Sequence, residues 1–214
     1  MRDRRRRGGI SRRHQALLAS LAALLLAVGV GVAYGRAGVH PKTKRVSVSS
    51  AGAQGDSGSF HPAVSADGRF VAFASNATNL VGGDTNAVSD VFVRDRKTHK
   101  TKRVSVSSAG AQGNDLSESA SISADGRFVA FESVATNLVG NDTNGFDDVF
   151  VRDRSTGKTR RVSLDSAGVQ GNGDSEEPSI SADGRFVGFD SLATDLVGND
   201  TNGFEDVFVR GPLR

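Results

Sequence analysis

Three loops carry acid and amide side chains at alternating positions, a spacing that can turn oxygen atoms toward a hard cation such as calcium. Each loop begins Asp-Thr-Asn and leads to an Asp that opens an apolar run. The candidate ligands are Asp84, Asn86, Asp90, Asp142, Asn144, Asp148, Asp200, Asn202 and Asp206. Their spacing departs from that of an EF-type loop, because the fifth position is Val88, Phe146 or Phe204. Two interpretations stay open: one calcium ion per loop, or Asp and Asn side chains that cap the backbone of a turn.

No other set of residues has the spacing of a catalytic group. The chain has no cysteine, its four histidines stand far apart, and no serine lies in a Gly-x-Ser-x-Gly turn near a histidine. The sequence therefore predicts a protein that is not an enzyme and needs no cofactor, with calcium as the open exception. Acids that differ between the repeated units are better candidates for a binding surface, although drift after duplication would give the same pattern. They are Asp115, Glu118, Glu132, Asp174, Glu176, Glu177, Asp190 and Asp195.

The N-terminus has the composition of an export signal. Residues 1–36 hold eight arginines against the single acid Asp3, and residues 16–35 form an uncharged apolar run. This order predicts a signal peptide or a membrane anchor at residues 1–36, with the rest of the chain outside the cytoplasm. The only membrane contact expected is through residues 16–35. Residues 1–36 carry a net charge of +7 and the whole chain carries +3, so the remaining residues sum to 3 − 7 = −4. A mildly acidic body argues against nucleic acid as a partner.

The elements that must position these residues recur at a fixed period. Ser-Ala-Asp-Gly-Arg-Phe-Val begins at Ser65, Ser123 and Ser181, a step of 58 residues each time. The period predicts stacked repeats, here 43–100, 101–158 and 159–214 within a domain of residues 43–214. Self-similarity without insertions indicates one structural unit built three times.

Each unit has the pattern of four short antiparallel strands. Ser179-Ile-Ser181 precedes an Asp-Gly hairpin turn, and Arg127-Phe-Val-Ala-Phe131 is apolar enough to be buried on both faces. Asp148-Val-Phe-Val-Arg152 is a third strand, and the alternating Arg161-Val-Ser-Leu164 is expected to be the outer one. The fold class is therefore all-β, a β-propeller or partial propeller of three four-stranded blades that follows an N-terminal signal or anchor helix.

Two sets of repeated side chains have expected positions. The arginines that end the third strand are expected to pair with acids of neighbouring blades; they are Arg94, Arg152 and Arg210. The phenylalanines of the second strand are expected to lie between blades; they are Phe70, Phe73, Phe128, Phe131, Phe186 and Phe189.

The repeated motifs resemble a known family. Ser-Ala-Asp-Gly-Arg-Phe-Val-Ala-Phe, then Asp-Val-Phe-Val-Arg-Asp-Arg and Arg-Val-Ser, are similar to the TolB-like propeller repeat, in a long-repeat branch of exported bacterial proteins. The resemblance covers residues 43–210. It implies a propeller fold, and it leaves the task open because propellers host many functions.

The combined prediction is an exported, non-catalytic propeller module that binds a protein or a cell-surface polymer. Two alternatives stay open: a glycan-active hydrolase or lyase of propeller type, and a fragment of a longer propeller protein. Closed propellers have about four to eight blades, so three units also predict a homodimer that completes a six-bladed ring.

Overall fold

The structure, a computed structural model, describes residues 41–213, and the predicted signal or anchor segment lies outside them. Its contacts assign Lys44–Arg214 to one compact unit. Within residues 41–213 there is no helix with the length and apolar character of a membrane span. The elements found there are eleven β-strands, which confirms the all-β prediction.

The strands form three antiparallel sheets that follow one another along the chain. Two sheets have four strands, ordered β1-β2-β3-β4 and β5-β6-β7-β8, and the third has three, ordered β9-β10-β11. Neighbours in each sheet are consecutive in sequence, the arrangement of a propeller blade. In chain order the strands are β1 Ser59–Val64, β2 Phe70–Ser75, β3 Asp90–Asp95, β4 Lys100–Arg103, β5 Ser117–Ile122, β6 Phe128–Ser133, β7 Asp148–Asp153, β8 Lys158–Arg161, β9 Ser175–Ile180, β10 Val187–Ser191 and β11 Asp206–Arg210.

The hairpin between the first two strands of each blade forms as its sequence predicts. In the first blade, Ser65 Oγ donates to Asp67 Oδ1 (2.7 Å) and accepts the Phe70 N–H (2.9 Å). Gly68 takes a φ of 66°, a conformation that glycine adopts without steric cost. These turns also join the blades, because the Ala66 N–H donates to the Ala124 carbonyl (3.0 Å) and the Ala124 N–H to the Ala182 carbonyl (2.9 Å).

The outer strand differs from the prediction. It is Lys100–Arg103 in the first blade and Lys158–Arg161 in the second, so each strand ends at the arginine where it was expected to begin. The following Val-Ser-Val segment leaves the sheet: Val104 is buried in the core, and Val106 pairs with Gln112 in a separate turn. The apolar alternation that suggested a strand therefore belongs to the connection toward the next blade.

The core lies within and between the blades. Phe131 of β6 stacks on Phe150 of β7 at 5.9 Å between ring centroids, and both are fully buried. Phe131 also packs with Val91 and Val93 of the preceding blade, so its predicted place between blades is confirmed. Phe186, in contrast, is 39% exposed, because no further blade covers it among the described residues.

Glycine at the hairpin turn permits the closest approach of two blades. The Phe70 ring of the first blade lies against Gly126 of the second, where a Cβ atom would come within 2.2 Å of the ring. The guanidinium groups of Arg69 and Arg154 each lie 4.5 Å from the centroid of the same ring. Phe70 thus packs between two cations and a glycine that no larger residue can replace without moving the ring.

Phe131→Ala should lower the free energy of unfolding by about 3–5 kcal/mol, because it removes a fully buried ring from the contact between two blades. Phe204→Ala is the matched control, since that ring is 75% exposed and its loss should cost about 0.5 kcal/mol or less. Urea unfolding of both variants measures the difference. Equal stabilities would mean that β6 is not packed between blades.

Candidate functional site

The Asp-Thr-Asn loops lie immediately before the third strand of each blade. In the first blade, Asp84 and Asp90 both face Arg103, the last residue of β4. The Arg103 guanidinium lies 3.0 Å from Asp84 Oδ2 and 3.2 Å from Asp90 Oδ2, and all three side chains are buried. Gln112 Nε2 donates to Asp84 Oδ1 (3.0 Å) and to Asp90 Oδ2 (2.8 Å). We call this group, two carboxylates held by one arginine and one glutamine, the arginine clasp.

The second blade repeats the arginine of the clasp and its two carboxylates, while its glutamine has other partners. Arg161 lies 2.9 Å from Asp142 Oδ2 and 3.3 Å from Asp148 Oδ2. Gln170 accepts a hydrogen bond from Arg161 and donates to Thr143 Oγ1 (2.9 Å). Burial raises the pKa of Asp148, although the nearby arginine opposes that shift. A carboxylate in such a place is costly to ionise without a cation beside it.

A serine ties each clasp to the backbone of the third strand. Ser105 Oγ donates to Asp90 Oδ1 (2.6 Å) and accepts the Val91 N–H (3.1 Å). In the second blade, Ser163 Oγ donates to Asp148 Oδ1 (2.5 Å) and accepts the Val149 N–H (3.1 Å). The segment after β4 or β8 therefore closes the blade through one arginine, one serine and one glutamine.

In the first two blades the donor set does not fit a calcium ion in addition to the arginine. The guanidinium already supplies the positive charge between the two carboxylates. The side-chain oxygens of Asn86 and Asn144 accept the N–H groups of Val88 (3.3 Å) and Phe146 (3.4 Å), which is the role of a turn cap. Within residues 41–213, no group of three or more His, Asp or Glu side chains is arranged to hold a metal. Calcium binding at these loops stays a prediction from sequence.

The third blade contains the acids of the clasp without its other members. Asp200 and Asp206 occupy the same positions, and Asn202 Nδ2 donates to Asp206 Oδ2 (2.9 Å). No arginine or glutamine contacts these two carboxylates among the described residues, because this sheet has no fourth strand there. The three loops are therefore equivalent in sequence and different in structure.

The arginines that end the third strands do not pair with acids of neighbouring blades, so that expectation is wrong. Arg94 Nη1 donates to the Ser49 carbonyl (2.8 Å) and to Thr101 Oγ1 (3.0 Å), and Arg152 makes the same contacts with Ser107 and Thr159. These arginines hold the connection between blades by its backbone. From the sequence we expected acids as the partners of these arginines, because a sequence shows which side chains are charged but not which backbone carbonyl groups lack a hydrogen bond.

Four of the eight acids that differ between copies meet in one place, between the second and third blades, together with Asp147. Glu132 Oε2 accepts the Glu177 N–H (2.8 Å), and Asp174 Oδ1 accepts the Asp147 N–H (3.0 Å). Glu176 acts on the pKa of Asp147 together with Glu132 and Asp174. We call Glu132, Asp147, Asp174, Glu176 and Glu177 the acidic end. None of these carboxylates forms an ion pair with Lys or Arg within residues 41–213.

The remaining predicted acids have other surroundings. Glu118 pairs with Glu132 across β5 and β6, and Asp190 pairs with Glu176 across β9 and β10, so both border the acidic end. Asp115 instead accepts the N–H of the next residue, Leu116 (2.8 Å), and Asp195 accepts the Asn172 N–H from a distant part of the chain (3.0 Å). Asp147 was missed by the sequence analysis. The comparison of copies would have found it, because Ser89 and Glu205 stand at the equivalent positions.

A bulge in the first strand of each blade shapes this region. The register shifts between Glu118 and Ser121 in β5 and opposite Gly188 and Asp190 in β10. The bulged residues Ser119 and Glu177 have φ values of 44° and 47°, which non-glycine residues adopt at a cost of about 1–3 kcal/mol. Ser119 Oγ donates to Glu132 Oε1 (2.7 Å). Both bulged residues therefore hold Glu132, the acid at the centre of the cluster.

Burial, followed by the charges of Glu132, Glu176 and Asp174, raises the pKa of Asp147 to about 6. Burial, followed by the same neighbours, also raises the pKa of Glu176. The acidic end thus stores electrostatic repulsion at neutral pH that a bound cation would relieve.

Comparison with known proteins concerns the fold. No protein-family model matches the chain, and no curated protein matches its sequence. The chain is similar to TolB from Acinetobacter baumannii, with 19% identity, 72% of this chain and 32% of that one covered, and a TM-score of 0.43. It is similar to a putative TolB from Agrobacterium tumefaciens, with 20% identity, 66% and 41% covered, and a TM-score of 0.41. An oligogalacturonate lyase in complex with manganese is also similar, with 14% identity, 73% of this chain and 36% of that chain covered, and a TM-score of 0.38.

The chain spans 32% and 41% of the lengths of the two TolB structures. The predicted TolB-like propeller repeat is confirmed at the level of the fold alone. Activities of the similar proteins do not transfer to this chain at such identities.

Arg103→Ala should destabilise the protein by about 3–5 kcal/mol, because it leaves Asp84 and Asp90 buried without their cation. Lys102→Ala, an exposed neighbour on the same strand, is the control and should change stability by about 0.5 kcal/mol or less. Melting temperatures measured with calcium and with a chelator complete the experiment. A wild-type protein that melts higher with calcium would establish the metal interpretation, and no loss in Arg103→Ala would contradict the clasp.

Proposed function

We propose that this protein is an exported, non-catalytic propeller module whose acidic end binds a basic segment of a partner protein or a basic cell-surface polymer. The observation that carries the proposal is the convergence, around the half-buried Asp147, of carboxylates that the first copy of the repeat lacks. Propellers commonly bind their ligands with the residues that vary between blades, since the repeated residues build each blade.

The repeated polar residues support this division of labour. Arg127 forms a bidentate pair with Asp153 through Nε (3.0 Å) and Nη2 (2.7 Å), and Arg69 does the same with Asp95. In these pairs and in the two clasps, repeated acids of the first two blades each form an ion pair with an arginine inside the fold. The carboxylates of the acidic end have no such cation within the described residues, so their charge is available to a ligand.

The charge of the acidic end also favours a positive partner over a neutral one. Carboxylates that lie opposite each other on neighbouring strands repel, as do Glu118 with Glu132 and Glu176 with Asp190. A cationic ligand removes that repulsion and adds long-range attraction that salt screens. The predicted partner class is therefore one rich in lysine or arginine.

Binding of a decalysine peptide to the full chain should weaken by about tenfold or more when Asp147 and Glu177 are changed to Asn and Gln, because two of the converging charges are lost. Binding should also weaken as the pH falls below 6, where Asp147 takes up a proton. Isothermal titration calorimetry at two salt concentrations measures both effects. Asp195→Asn is the control, since Asp195 is not part of the acidic end and the equivalent Asn137 makes the same contact, accepting a backbone N–H, in the second blade. Binding that is insensitive to the variants, salt and pH would refute the proposed site.

The raised pKa of Asp147 gives a separate prediction for stability. The folded state binds this proton more tightly than the unfolded chain, so folding loses stability as the pH rises from about 4 to 6. Asp147→Asn should therefore unfold at a higher urea concentration than the wild type at pH 7, and the two midpoints should approach each other near pH 4. A variant less stable than the wild type at pH 7 would mean that the carboxylate has a stabilising partner.

Export is the part of the proposal that rests on residues 1–36. A reporter fused to the C-terminus, active only outside the cytoplasm, should be active in cells that express the full chain. Replacing Arg4, Arg5, Arg6 and Arg7 by Glu should strongly reduce that activity, since the cationic segment orients the apolar run. Activity confined to a cytoplasmic reporter would contradict export.

A further inference from the structure

The outer edge of the third blade is unpaired among the described residues. Val207 and Val209 of β11 are 81% and 73% exposed, whereas the equivalent Val91 and Val93 of β3 are at most 1% exposed. In the first two blades a fourth strand and the segment that follows it cover these positions. An exposed edge with apolar side chains is a template for another strand.

A polar socket lies beside this edge. Asp200 Oδ1 is buried and accepts no hydrogen bond within the described residues. Its counterpart Asp84 Oδ1 accepts from the glutamine of the first clasp. A cavity of about 450 Å³ is lined by Asp200, Asn202, Asp206 and Val207, at the position that Arg103 and Gln112 fill in the first blade. The socket therefore lacks an arginine, a glutamine and a serine.

The N-terminal part of the described chain carries these three residues in the matching order. Lys42-Thr43-Lys44-Arg45 repeats the sequence of β4, and Ser47 and Gln54 stand where Ser105 and Gln112 stand in the next unit. Residues 41–45 are exposed and belong to no strand. Arg45 Nη1 donates to Gln54 Oε1 (2.5 Å), a contact at the surface, and no carboxylate pairs with Arg45 among the described residues.

We propose that residues 42–54 of a second copy of this chain complete the third blade, and that two copies do this reciprocally. Arg45 of the second copy then pairs with Asp200 and Asp206, its Gln54 donates to Asp200 Oδ1, and its Ser47 binds Asp206 and the Val207 N–H. These contacts reproduce the first clasp member by member. The strand itself covers Val207 and Val209.

A second set of contacts fits the same arrangement. Arg94 and Arg152 each donate to a threonine of the outer strand, while Arg210 donates only to the carbonyls of Leu164 (3.0 Å) and Asp165 (2.6 Å). Thr43 of the second copy supplies the missing hydroxyl. Among its described residues each copy has one open edge, at β11, and one exposed segment outside any strand, residues 42–45, while residues 48–54 stay bound to the first blade of their own chain. A twofold dimer pairs the edge with the segment, and its six blades lie within the usual range of about four to eight.

The absence of cysteine makes the register directly testable. Val93 and Lys102 are Cα partners across β3 and β4, so Val209 of one copy is predicted to face Lys44 of the other. Full-length Val209→Cys and Lys44→Cys variants, mixed in a mild detergent and oxidised, should form a covalent pair with twice the mass of one chain. Neither variant should cross-link alone. Lys102→Cys is the matched control, because its strand is already paired within the chain, and it should not cross-link to Val209→Cys.

Arg45→Glu in the Lys44→Cys chain should lower the cross-linking yield by about tenfold or more, since it places a third acid in the socket. Light scattering of the wild type should give the mass of two chains, and Arg45→Glu that of one. A monomeric wild type, no covalent pair, or an equal yield with Arg45→Glu would each overturn the proposal. A yield that depends on added calcium in place of Arg45 would assign the socket to a metal and overturn it as well.

Discussion

Buried carboxylates at the start of each third strand need a positive charge, and the chain supplies it from the last residue of the fourth strand. Asp84 and Asp90 depend on Arg103, and Asp142 and Asp148 depend on Arg161. The same segment then supplies Ser105 or Ser163 to the third strand and crosses to the following blade. In the first and second blades, the segment that leads to the following blade thus supplies the arginine that neutralises the buried acids. This shared segment keeps successive sheets next to each other.

The clasp also distinguishes acids with a structural role from those that we propose bind a ligand. Acids that face an arginine already have a partner within their blade, so the proposed ligand site consists of residues without such a partner. The acidic end consists of such residues. The bulged residues Ser119 and Glu177 hold Glu132 in place, and the neighbouring charges help to raise the pKa of Asp147. Mutual repulsion of carboxylates and backbone strain both lower the stability of the fold, so they persist only where the surrounding structure is stable enough to compensate. The clasped second blade, which shares hydrophobic clusters with the blades on both sides of it, provides that stability.

Sequence alone predicted the repeats, the hairpins and the buried second strand, because Asp-Gly turns and apolar runs are local signals. It misplaced the outer strand, since Lys100-Thr-Lys-Arg103 has no apolar residue and pairs with β3 through its backbone, while the apolar Val104 belongs to a connection. Calcium and a turn cap both stayed open for the Asp-Thr-Asn loops, because the partner Arg103 of the first loop comes after the third strand and its turn, and only the fold brings it next to Asp84 and Asp90. The role of Asp147 could not be predicted for the same reason, because its neighbours Asp174 and Glu176 belong to the next blade and only the fold brings them together.

The central claim is that every third strand, the last one included, is closed by the same arginine-bearing segment. Hydrogen exchange at the Val207 amide tests this directly, because its equivalents Val91 and Val149 donate to the serine of that segment. In the assembled protein the account predicts that Val207 exchanges as slowly as Val149, and that Arg45→Glu makes Val207 fast while Val149 stays slow. Fast exchange at Val207 in the wild type, at a concentration where Val149 is protected, would contradict it.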